Sequence, residues 1–567
     1  GSVDLSAVSA AALAGGAVAG GRGSWNVAAR RTYADVLTSA VVRPDAFPYH
    51  FQDAQLRAAA LLPGGGTLAL TAYAGLDLLS PSGEAGGGTL FGDSTGAFRF
   101  AWGNRAAGLA LAQPLGARAD LAQRVFYTGY RTRYTDDGAG VRLANGIGEV
   151  RLAGEVTRRV GDAPGAPAHT LRAGYELSRF GARYEERVSA YAAGELGTVL
   201  AIADTSFRQT SAALAAYVED VWAPGGAGGL PGRWSVRPGV RVERVPAARW
   251  SGVSPRLAVR YQAGRRAGAG GGPGTALTLA AGRYAQWTHA LRNEDLPVRI
   301  VDVWLASDRD VPVSTGTELV GGAERWVTPG VLVRAEAYAK RFRDVVEPSS
   351  AVDPRLRPAE LRRFGGRSTG LDVLVRRAAP AGAEGETPNG PRPGGPRFGG
   401  WVAYSFARSV RGEGANRYYP AHDRRHDLNL VGSYRAGARY TFGARLGLAS
   451  GTPYTAYAGS YARWTYDPVS RRWRIPGPAS AARSEPVLGA RNAARYPAYR
   501  RLDLSAHRAF RLRGARGPTG DAFVNVVNAF NARNVLLYAF DTGGEPPRVR
   551  GLSQLPFLPT AGVRVGF

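Results

Sequence analysis

Apolar and polar residues alternate along most of the chain. In residues 67–79, the even positions from 68 to 78 are leucine or alanine, whereas the odd positions include Thr71 and Asp77. Residues 234–243 and 253–262 repeat this pattern. A period of two is typical of β-strands, because successive side chains point to opposite faces; a helix would place apolar residues three and four positions apart. The chain is therefore predicted to consist of strands with one apolar and one polar face.

The strands are numerous and long, and their connections are of two lengths. We identify about 21 segments of roughly ten to twenty residues. Short connections at 63–66, 116–119, 161–167 and 328–330 alternate with long ones at 80–94, 186–205, 291–312, 348–363, 410–425 and 451–498. Strands of a soluble sandwich are shorter, about five or six residues, whereas this alternation is typical of a transmembrane barrel.

We therefore predict an all-β fold, a transmembrane antiparallel β-barrel of about 22 strands with long extracellular loops and short periplasmic turns. Residues 1–567 form a single barrel domain in this prediction, since no linker divides the chain. No run of about eighteen apolar residues predicts a transmembrane helix.

The first segment poses a problem of strand direction. If short turns are periplasmic, residues 3–14 and residues 555–567 both run toward the periplasm, although an even-stranded barrel keeps both termini on one side. Either residues 3–18 form two very short strands, or a strand preceding Gly1 is absent from this chain. The lack of any Met favours the second interpretation, in which the chain is a piece of a longer protein.

Several motifs along the chain resemble the barrel of TonB-dependent outer-membrane receptors. In the C-terminal third they are 422-HDRRHDLNLVGSYR-435, 449-ASGTPYT-455, 492-NAARYPAYRRLDL-504, 524-VNVVNAFNARNV-535 and the ending Val563-x-Val565-x-Phe567. Upstream segments such as 24-SWNVAARRTYADVL-37 and 334-RAEAYAKRF-342 are similar to other strands of that family. Each motif is weakly specific alone, but their order covers the whole chain.

The resemblance implies a 22-stranded barrel whose lumen is closed by an N-terminal plug domain that engages TonB, with ligand release powered by the proton-motive force. We find neither a plug nor a TonB-engaging segment before the barrel strands. The expected function is uptake of a scarce nutrient, such as a metal chelate, a cobalamin-like or an oligomeric substrate, with the plug lost or supplied separately. The alternative is a plugless passive pore or an outer-membrane scaffold for an envelope complex.

Composition narrows the remaining function classes. The formal charge is +27, from 72 Lys+Arg against 45 Asp+Glu, but Lys340 is the sole lysine. Mixed Lys/Arg tracts of nucleic-acid-binding tails are therefore missing, and no nucleic-acid partner is expected. With no Cys and no local Ser-His-Asp set, we expect no enzyme activity and no cofactor.

Two motifs look like binding sites but lack the spacing or the residues that such sites require. His422 and His426 have the i, i+4 spacing of a helical zinc site, but along a strand four residues span about 13 Å, too far for one ion. The glycine-rich stretch 264–275 lacks the Gly-Lys-Ser/Thr ending of a phosphate-binding loop and joins two strands. We predict no metal site and a flexible turn, respectively.

The longest loop, 451–498, combines aromatic and arginine side chains, and with loops 291–312 and 186–205 it is expected to capture ligand. Aromatic faces and guanidinium groups suit an anionic or aromatic ligand. Contacts to lipopolysaccharide phosphates and an interfacial aromatic girdle are the competing explanations. The ligand-loop candidates are Tyr461, Arg463, Trp464, Tyr466, Arg471, Arg472 and Trp473.

Several arginines fall on the polar face of their strands, which faces the lumen of a barrel. They are expected either to line a route for anionic solutes or to dock a plug; the commoner explanation is a hydrated wall paired with Glu243, Glu336 and Asp372. The lumen candidates are Arg237, Arg241, Arg256, Arg260, Arg334 and Arg376.

The C-terminal residues Val563, Val565 and Phe567 form an alternating apolar end with an aromatic terminus. Such an ending resembles the signal read by the barrel-assembly machinery, although it is also compatible with an ordinary lipid-facing strand. The expected partners are thus outer-membrane lipid and lipopolysaccharide, the assembly machinery, and a separate plug, TonB or other envelope proteins.

Overall fold

A computed structural model gives the structure of the chain. It describes residues 1–33, 49–80, 98–136, 141–161, 168–188, 205–223, 232–263, 274–291, 302–328, 330–348, 361–377, 397–462, 465–467, 470–474, 484–512, 517–541 and 548–567.

Twenty-two strands within these residues form one antiparallel sheet. They are β1 (Ser2–Ser6), β2 (Ser9–Val18), β3 (Gly23–Thr32), β4 (Tyr49–Leu61), β5 (Thr67–Leu79), β6 (Phe98–Pro114), β7 (Ala119–Asp136), β8 (Val141–Val160), β9 (Ala168–Val188), β10 (Thr205–Ala223), β11 (Gly232–Val245), β12 (Trp250–Ala263), β13 (Thr275–Gln286), β16 (Ser314–Thr328), β17 (Val331–Pro348), β18 (Leu361–Arg377), β19 (Phe398–Arg411), β20 (His426–Ala436), β21 (Tyr440–Ala449), β28 (Tyr499–Arg511), β29 (Thr519–Val527) and β32 (Leu558–Gly566).

The remaining strands lie in the connections between barrel strands and pair with each other. They are β14 (Thr288–Leu291) with β15 (Val303–Ala306), β22 (Pro453–Tyr454) with β27 (Ala494–Arg495), β23 (Tyr457–Ala462) with β26 (Ser484–Leu488), β24 (Thr465–Asp467) with β25 (Arg472–Arg474), and β30 (Val535–Asp541) with β31 (Arg548–Ser553). Short 3-10 turns occupy Ala19–Gly21, Pro63–Gly65 and Gly414–Asn416. Among the described residues no helix is long and apolar enough to cross a membrane.

The sheet closes on itself, which confirms the predicted barrel. Each barrel strand pairs antiparallel with its neighbour in sequence, and β32 pairs with β1 in a register that places Val565 opposite Val3. The Gly1 ammonium donates to the Phe567 carbonyl oxygen at 2.7 Å. Closure leaves no open sheet edge, which the bilayer interior requires because no water is available there to satisfy backbone groups.

The N-terminal segment corrects one of the sequence-based expectations. Residues 3–18 lie in two short strands, β1 and β2, and β1 pairs with β2 on one side and with β32 on the other in the 22-stranded ring. The tight turn between them is held by Ser6, whose hydroxyl accepts from the Ser9 amide at 3.0 Å. The two-residue turn contains no glycine, asparagine or proline, and this explains why the composition gave no sign of a break in the strand.

Several strands are longer than a membrane crossing requires. The strand β9 has 21 residues, whereas a tilted strand spans the hydrocarbon core with about 9 to 11. The same applies to β7, β8 and β10, whose loop-proximal halves extend beyond the apolar band. The barrel therefore carries a raised wall on the side of the long loops, and the functional surfaces lie on that wall.

Candidate functional site

The hairpin β14–β15 identifies the inner face of the sheet. Its Ala306 packs with Phe180 and Ala182 of β9, and its Leu291 shares a buried cluster with Val346 of β17. Four strands separate β10 from β17 around the ring, so a hairpin that reaches both walls crosses the concave side. The even positions of β9 and the odd positions of β10 therefore face inward.

All six lumen candidates lie on that inner face by register. Arg241 pairs with Tyr217 of β10 across the ladder and ion-pairs with Glu176 at 2.7 Å and Glu243 at 2.9 Å. Arg260 ion-pairs with Glu324 of β16. These arginines are thus paired with glutamates of the same wall, as the commoner of the two explanations expected.

The other inner arginines complete this pattern. Arg334 ion-pairs with Glu336, and Arg237 lies 3.7 Å from Glu219. The guanidinium of Arg256 stacks 4.7 Å from the ring centroid of Tyr284. Arg376 has no ion pair within the described part of the chain. The inner wall is therefore polar but nearly neutral where its side chains can be followed.

The long loop 451–498 forms an arm rather than an irregular loop. Three nested strand pairs, β22 with β27, β23 with β26 and β24 with β25, build a two-stranded ribbon that ends near Arg471. Trp473 at its tip is 64% exposed, and Arg471 and Arg472 are exposed beside it. Tyr461 and Tyr466 lie in β23 and β24, whereas Arg463 and Trp464 lie outside the described residues.

The base of the arm is fixed by a fully buried carboxylate, Asp423. It accepts from the Ser409 amide at 2.6 Å and ion-pairs with Arg425 at 3.2 Å and with Arg495 of β27. Nearby, the Asn492 side chain donates to the Tyr419 carbonyl oxygen at 2.9 Å. These contacts join the motifs 422–435 and 492–504, which the sequence showed only as separate segments.

A second carboxylate, Glu347 at the top of β17, holds the other side of the same base. It ion-pairs with Arg411 at 2.6 Å and Arg491 at 3.1 Å, and the Tyr418 hydroxyl donates to it. Its side chain is 5% exposed. The arm is thus anchored to two barrel connections by ion pairs that are withdrawn from solvent.

Tyr419 lies in the opposite electrostatic environment from its neighbour Tyr418. The Arg408 guanidinium donates to its hydroxyl at 3.2 Å, and the guanidiniums of Arg425 and Arg495 lie 5.2 Å and 5.6 Å from its ring centroid. Hydrogen bonds from Arg408 and Arg425 lower the pKa of Tyr419 below its usual value. The surface around this half-buried phenol is therefore strongly cationic and aromatic. We call Arg408, Arg411, Tyr418, Tyr419, Arg425, Arg491 and Arg495 the rim cluster.

An aromatic stack lies beside the rim cluster, between the arm and the hairpin β30–β31. Tyr454 stacks on Tyr496 with ring centroids 4.4 Å apart, and Tyr538 lies 5.2 Å and 5.3 Å from the two. Burial raises the pKa of Tyr454, which keeps this phenol neutral. The stack offers an apolar, aromatic counterpart to the guanidinium groups.

The hairpin β14–β15 is fastened to the inner wall by polar side chains. Gln209 donates to the Ala306 carbonyl oxygen at 2.9 Å and accepts from the Ala306 amide at 2.7 Å. Within the loop, His289 hydrogen-bonds the buried Ser307 hydroxyl at 2.9 Å. Burial lowers the pKa of His289, so the neutral imidazole is favoured. The hairpin is therefore a built element of the mouth of the barrel.

Sequence reasoning missed most residues of the rim cluster. Arg408 lies within the strand β19, Tyr418 and Tyr419 lie in the long connection 410–425, and Glu347 lies at the end of β17, none of which has an unusual composition. The signal that could have located them was the pair of adjacent tyrosines before 422-HDRRHD-427. No cluster of His, Cys, Asp or Glu in the described residues has the geometry of a metal site.

The C-terminal strand lies where the sequence placed it. Val563 and Val565 of β32 pair with Leu5 and Val3 on the exposed outer face, and Phe567 is 76% exposed. Its recognition by assembly machinery stays a prediction.

Comparison with known proteins gives one family and many similar folds. The family model described as TonB dependent receptor-like, beta-barrel matches residues 32–535. No curated protein sequence matches the chain.

The similar solved structures cover nearly all of the chain at low identity. The outer membrane transporter YddB from Escherichia coli has a TM-score of 0.61 at 12% identity, covering 99% of this chain and 75% of that one. The pyoverdine receptor FpvA from Pseudomonas aeruginosa PAO1 has a TM-score of 0.60 at 10% identity, covering 100% and 78%. BauA, the ferric preacinetobactin receptor from Acinetobacter baumannii, has a TM-score of 0.60 at 8% identity, covering 100% and 79%. At this identity the likeness establishes the fold.

Proposed function

Because the chain belongs to the TonB-dependent receptor β-barrel family of the bacterial outer membrane, we propose that it is the barrel of an uptake receptor for an anionic, aromatic metal chelate. The family consists of receptors and transporters rather than enzymes. Two of the similar structures are receptors for pyoverdine and for ferric preacinetobactin. Their ligands supply a substrate class to test.

The rim cluster is the observation that supports an anionic ligand. In the part of the chain that the structure describes, five guanidinium groups lie around the two buried carboxylates of Glu347 and Asp423; they are those of Arg408, Arg411, Arg425, Arg491 and Arg495. Guanidinium forks bind carboxylate and catecholate oxygens through charge-assisted hydrogen bonds. The adjacent stack of Tyr454, Tyr496 and Tyr538 suits the aromatic portion of such a ligand.

The inner wall supports passage rather than tight binding. Its arginines are mostly compensated by glutamates, so an anion that leaves the rim meets a hydrated and nearly neutral surface. Because the inner wall binds an anion more weakly than the rim does, this arrangement favours release of the anion toward the interior. We propose further that a plug segment, in a separate chain or otherwise, fills the lumen and couples it to TonB, and that Val563, Val565 and Phe567 direct assembly.

The test uses the full chain, folded in detergent, with two ferric probes. A ferric tris-catecholate is anionic and aromatic, and a ferric hydroxamate of similar size is neutral. We expect saturable binding of the first, at least roughly tenfold tighter than the second, and a clear loss in R408Q, which leaves the ion pairs of Asp423 and Glu347 intact. The matched control R472Q changes the same charge at the arm tip and should retain binding. Equal affinity for both probes would overturn the proposal.

Conductance separates uptake from the alternative of a passive pore. A wide barrel with an empty lumen conducts in a planar bilayer. Large, ungated conductance of the chain in native membrane extracts, where a separate plug would be retained, would favour the pore. Stable co-purifying envelope proteins without chelate binding would favour the scaffold.

A further inference from the structure

Three aromatic side chains surround one carboxylate near the end of β5 that leads into the long connection 80–94. In the strand register, Asp77 lies directly opposite Phe51 of β4 on one side and Trp102 of β6 on the other. The Tyr49 hydroxyl, also on β4, donates a hydrogen bond to the Asp77 carboxylate at 2.5 Å. We call Tyr49, Phe51, Asp77 and Trp102 the aromatic cage.

The register places the aromatic cage on the lumen side of the sheet. Directly opposite residues of neighbouring strands share one face, and Trp102 is opposite Thr132 of β7. Thr132 is opposite Asn145 of β8, which is opposite Tyr184 of β9. Tyr184 is one of the even positions of β9, which face inward. All four side chains of the cage are partly exposed, so a solute in the lumen can reach them.

The rings of the cage are held in place by contacts with each other. The Tyr49 and Trp102 rings are within 20° of parallel, and their centroids are 6.0 Å apart. Phe51 lies 6.4 Å from Tyr49, and Phe100 of β6 lies 4.6 Å from Trp102. The face of an aromatic ring carries partial negative charge. The rings therefore add to the negative potential of Asp77, and their positions are fixed before a ligand arrives.

The neighbouring residues on the same wall show what such an arrangement binds. The Arg30 guanidinium lies 4.7 Å from the ring centroid of Phe51 and donates to the Asp53 carboxylate at 2.6 Å. An aromatic face and a carboxylate thus hold one cation of the chain itself. Asp77, in contrast, has no cationic partner among the residues that the structure describes. Its hydrogen bond comes from a neutral phenol, so its negative charge stays uncompensated.

The aromatic cage and the rim cluster lie on opposite sides of the barrel. The strands β5 and β18 are eleven strands apart in the ring of 22. The strand β18 pairs with β17 and β19, whose ends hold the rim cluster. A cation at the cage and an anion at the rim cluster therefore occupy different walls of the mouth, and the inference below is independent of the proposed uptake.

We infer that the aromatic cage binds an organic cation of the quaternary ammonium class. A cation within about 6 Å of a ring centroid is attracted to the ring face, most strongly to that of tryptophan, and aromatic cages recognise quaternary ammonium groups. Asp77 supplies the opposite charge. A Ca²⁺ ion takes about six to eight oxygen ligands, far more than one carboxylate and one phenol provide, so the occupant is organic rather than a metal ion.

The test measures binding of radiolabelled choline to the full chain, folded in detergent, by equilibrium dialysis. We expect saturable binding. The uncharged isostere 3,3-dimethylbutan-1-ol has the same shape as choline and should compete at least roughly tenfold more weakly, because it lacks the charge that the cage recognises. The variants D77N and W102L should each weaken choline binding roughly tenfold or more, since one removes the carboxylate and the other the largest ring.

Two matched controls should bind choline like the parent chain. D120N removes the same charge from an ion-paired carboxylate beside the short turn 116–119, and W473L removes an exposed tryptophan at the arm tip. R408Q should also leave choline binding unchanged, which separates this result from the test of uptake.

A charge-conserving variant guards against a folding defect. D77E should retain most of the binding, and heat-modifiable gel mobility shows whether each variant is folded. Three results would overturn the inference: no saturable choline binding, equal affinity for choline and its uncharged isostere, or unchanged affinity in D77N.

Discussion

The two faces of the barrel wall use the same residue type in opposite ways. On the inner face Arg241 is held between Glu176 and Glu243, whereas on the outer face Arg208 stands opposite another arginine. Successive residues of each strand point to opposite faces of the same sheet, so the two faces are one residue apart along the chain. The difference shows that arginine content alone does not identify a ligand surface, because the ratio of guanidinium groups to neighbouring carboxylates decides how much positive charge stays uncompensated.

The largest expected effect comes from breaking the most buried pairing. D423N leaves Arg425 and Arg495 without their shared carboxylate, and removing one partner of a buried ion pair costs about 3–5 kcal/mol. We expect release of the arm and a lower midpoint of urea unfolding. Tryptophan fluorescence measures the midpoint, and protease cleavage within 451–498 measures the release of the arm. The control D344N changes an exposed carboxylate with a left-handed backbone that asparagine tolerates, and should be nearly neutral. An arm equally protected in D423N would show that the buried pair is not the anchor.

A smaller loss is expected on the inner wall. E176Q removes one of the two carboxylates on Arg241, whose side chain is 18% exposed. A hydrogen bond to a charged group contributes about 1.5–3 kcal/mol, and the remaining Glu243 should limit the loss to about 1 kcal/mol. A double-mutant cycle with R241Q, read from urea unfolding, isolates the pair; a coupling energy of zero would mean that the inner wall is not held by this ion pair.

The outer face should respond with the opposite sign. R208Q removes a like charge opposite Arg183, so the stability of the folded chain should rise by about 0.2–1 kcal/mol at low salt. The gain should shrink with added salt, because exposed charges are screened. Destabilisation by R208Q would contradict the distinction between the two faces.

The smallest effect concerns the titration of Tyr419. Guanidinium donors favour its phenolate, so this tyrosine should ionise below the ordinary value near 10. A depressed pKa in the folded chain means that the contribution to stability is fully present above the pKa of the unfolded chain and is lost as pH falls through the folded value. At neutral pH it contributes nothing. Ultraviolet difference titration of the parent chain against Y419F should remove the earliest phenolate signal; an unchanged onset would show that Tyr419 is not the shifted group.

The sequence predicted the architecture because the strand period of two is repeated more than twenty times, and errors in single strands do not change the result. It erred at the N-terminus, where a turn held by Ser6 lacked glycine or proline. The nested ribbon within 451–498 was also unpredictable, since β24 and β25 have three residues each and no periodicity can be read from them.

The site was less predictable than the fold. The alternation placed Arg241 and Arg260 on the polar face correctly, and Glu243 lies on the same strand as Arg241. Their partners Glu176 and Glu324 lie on other strands and follow only from the register. The rim cluster is held by Glu347 and Asp423, which are far apart in sequence and meet the arm residues Arg491 and Arg495 only in the folded chain.

The arm has a consequence for engineering the chain. Its base is fixed by Asp423 and Glu347, whereas Trp473 at its tip makes up an exposed end of a two-stranded ribbon. Exposed loop tips tolerate insertions, so the tip is a place at which an epitope or a fluorescent label can be inserted without disturbing the barrel.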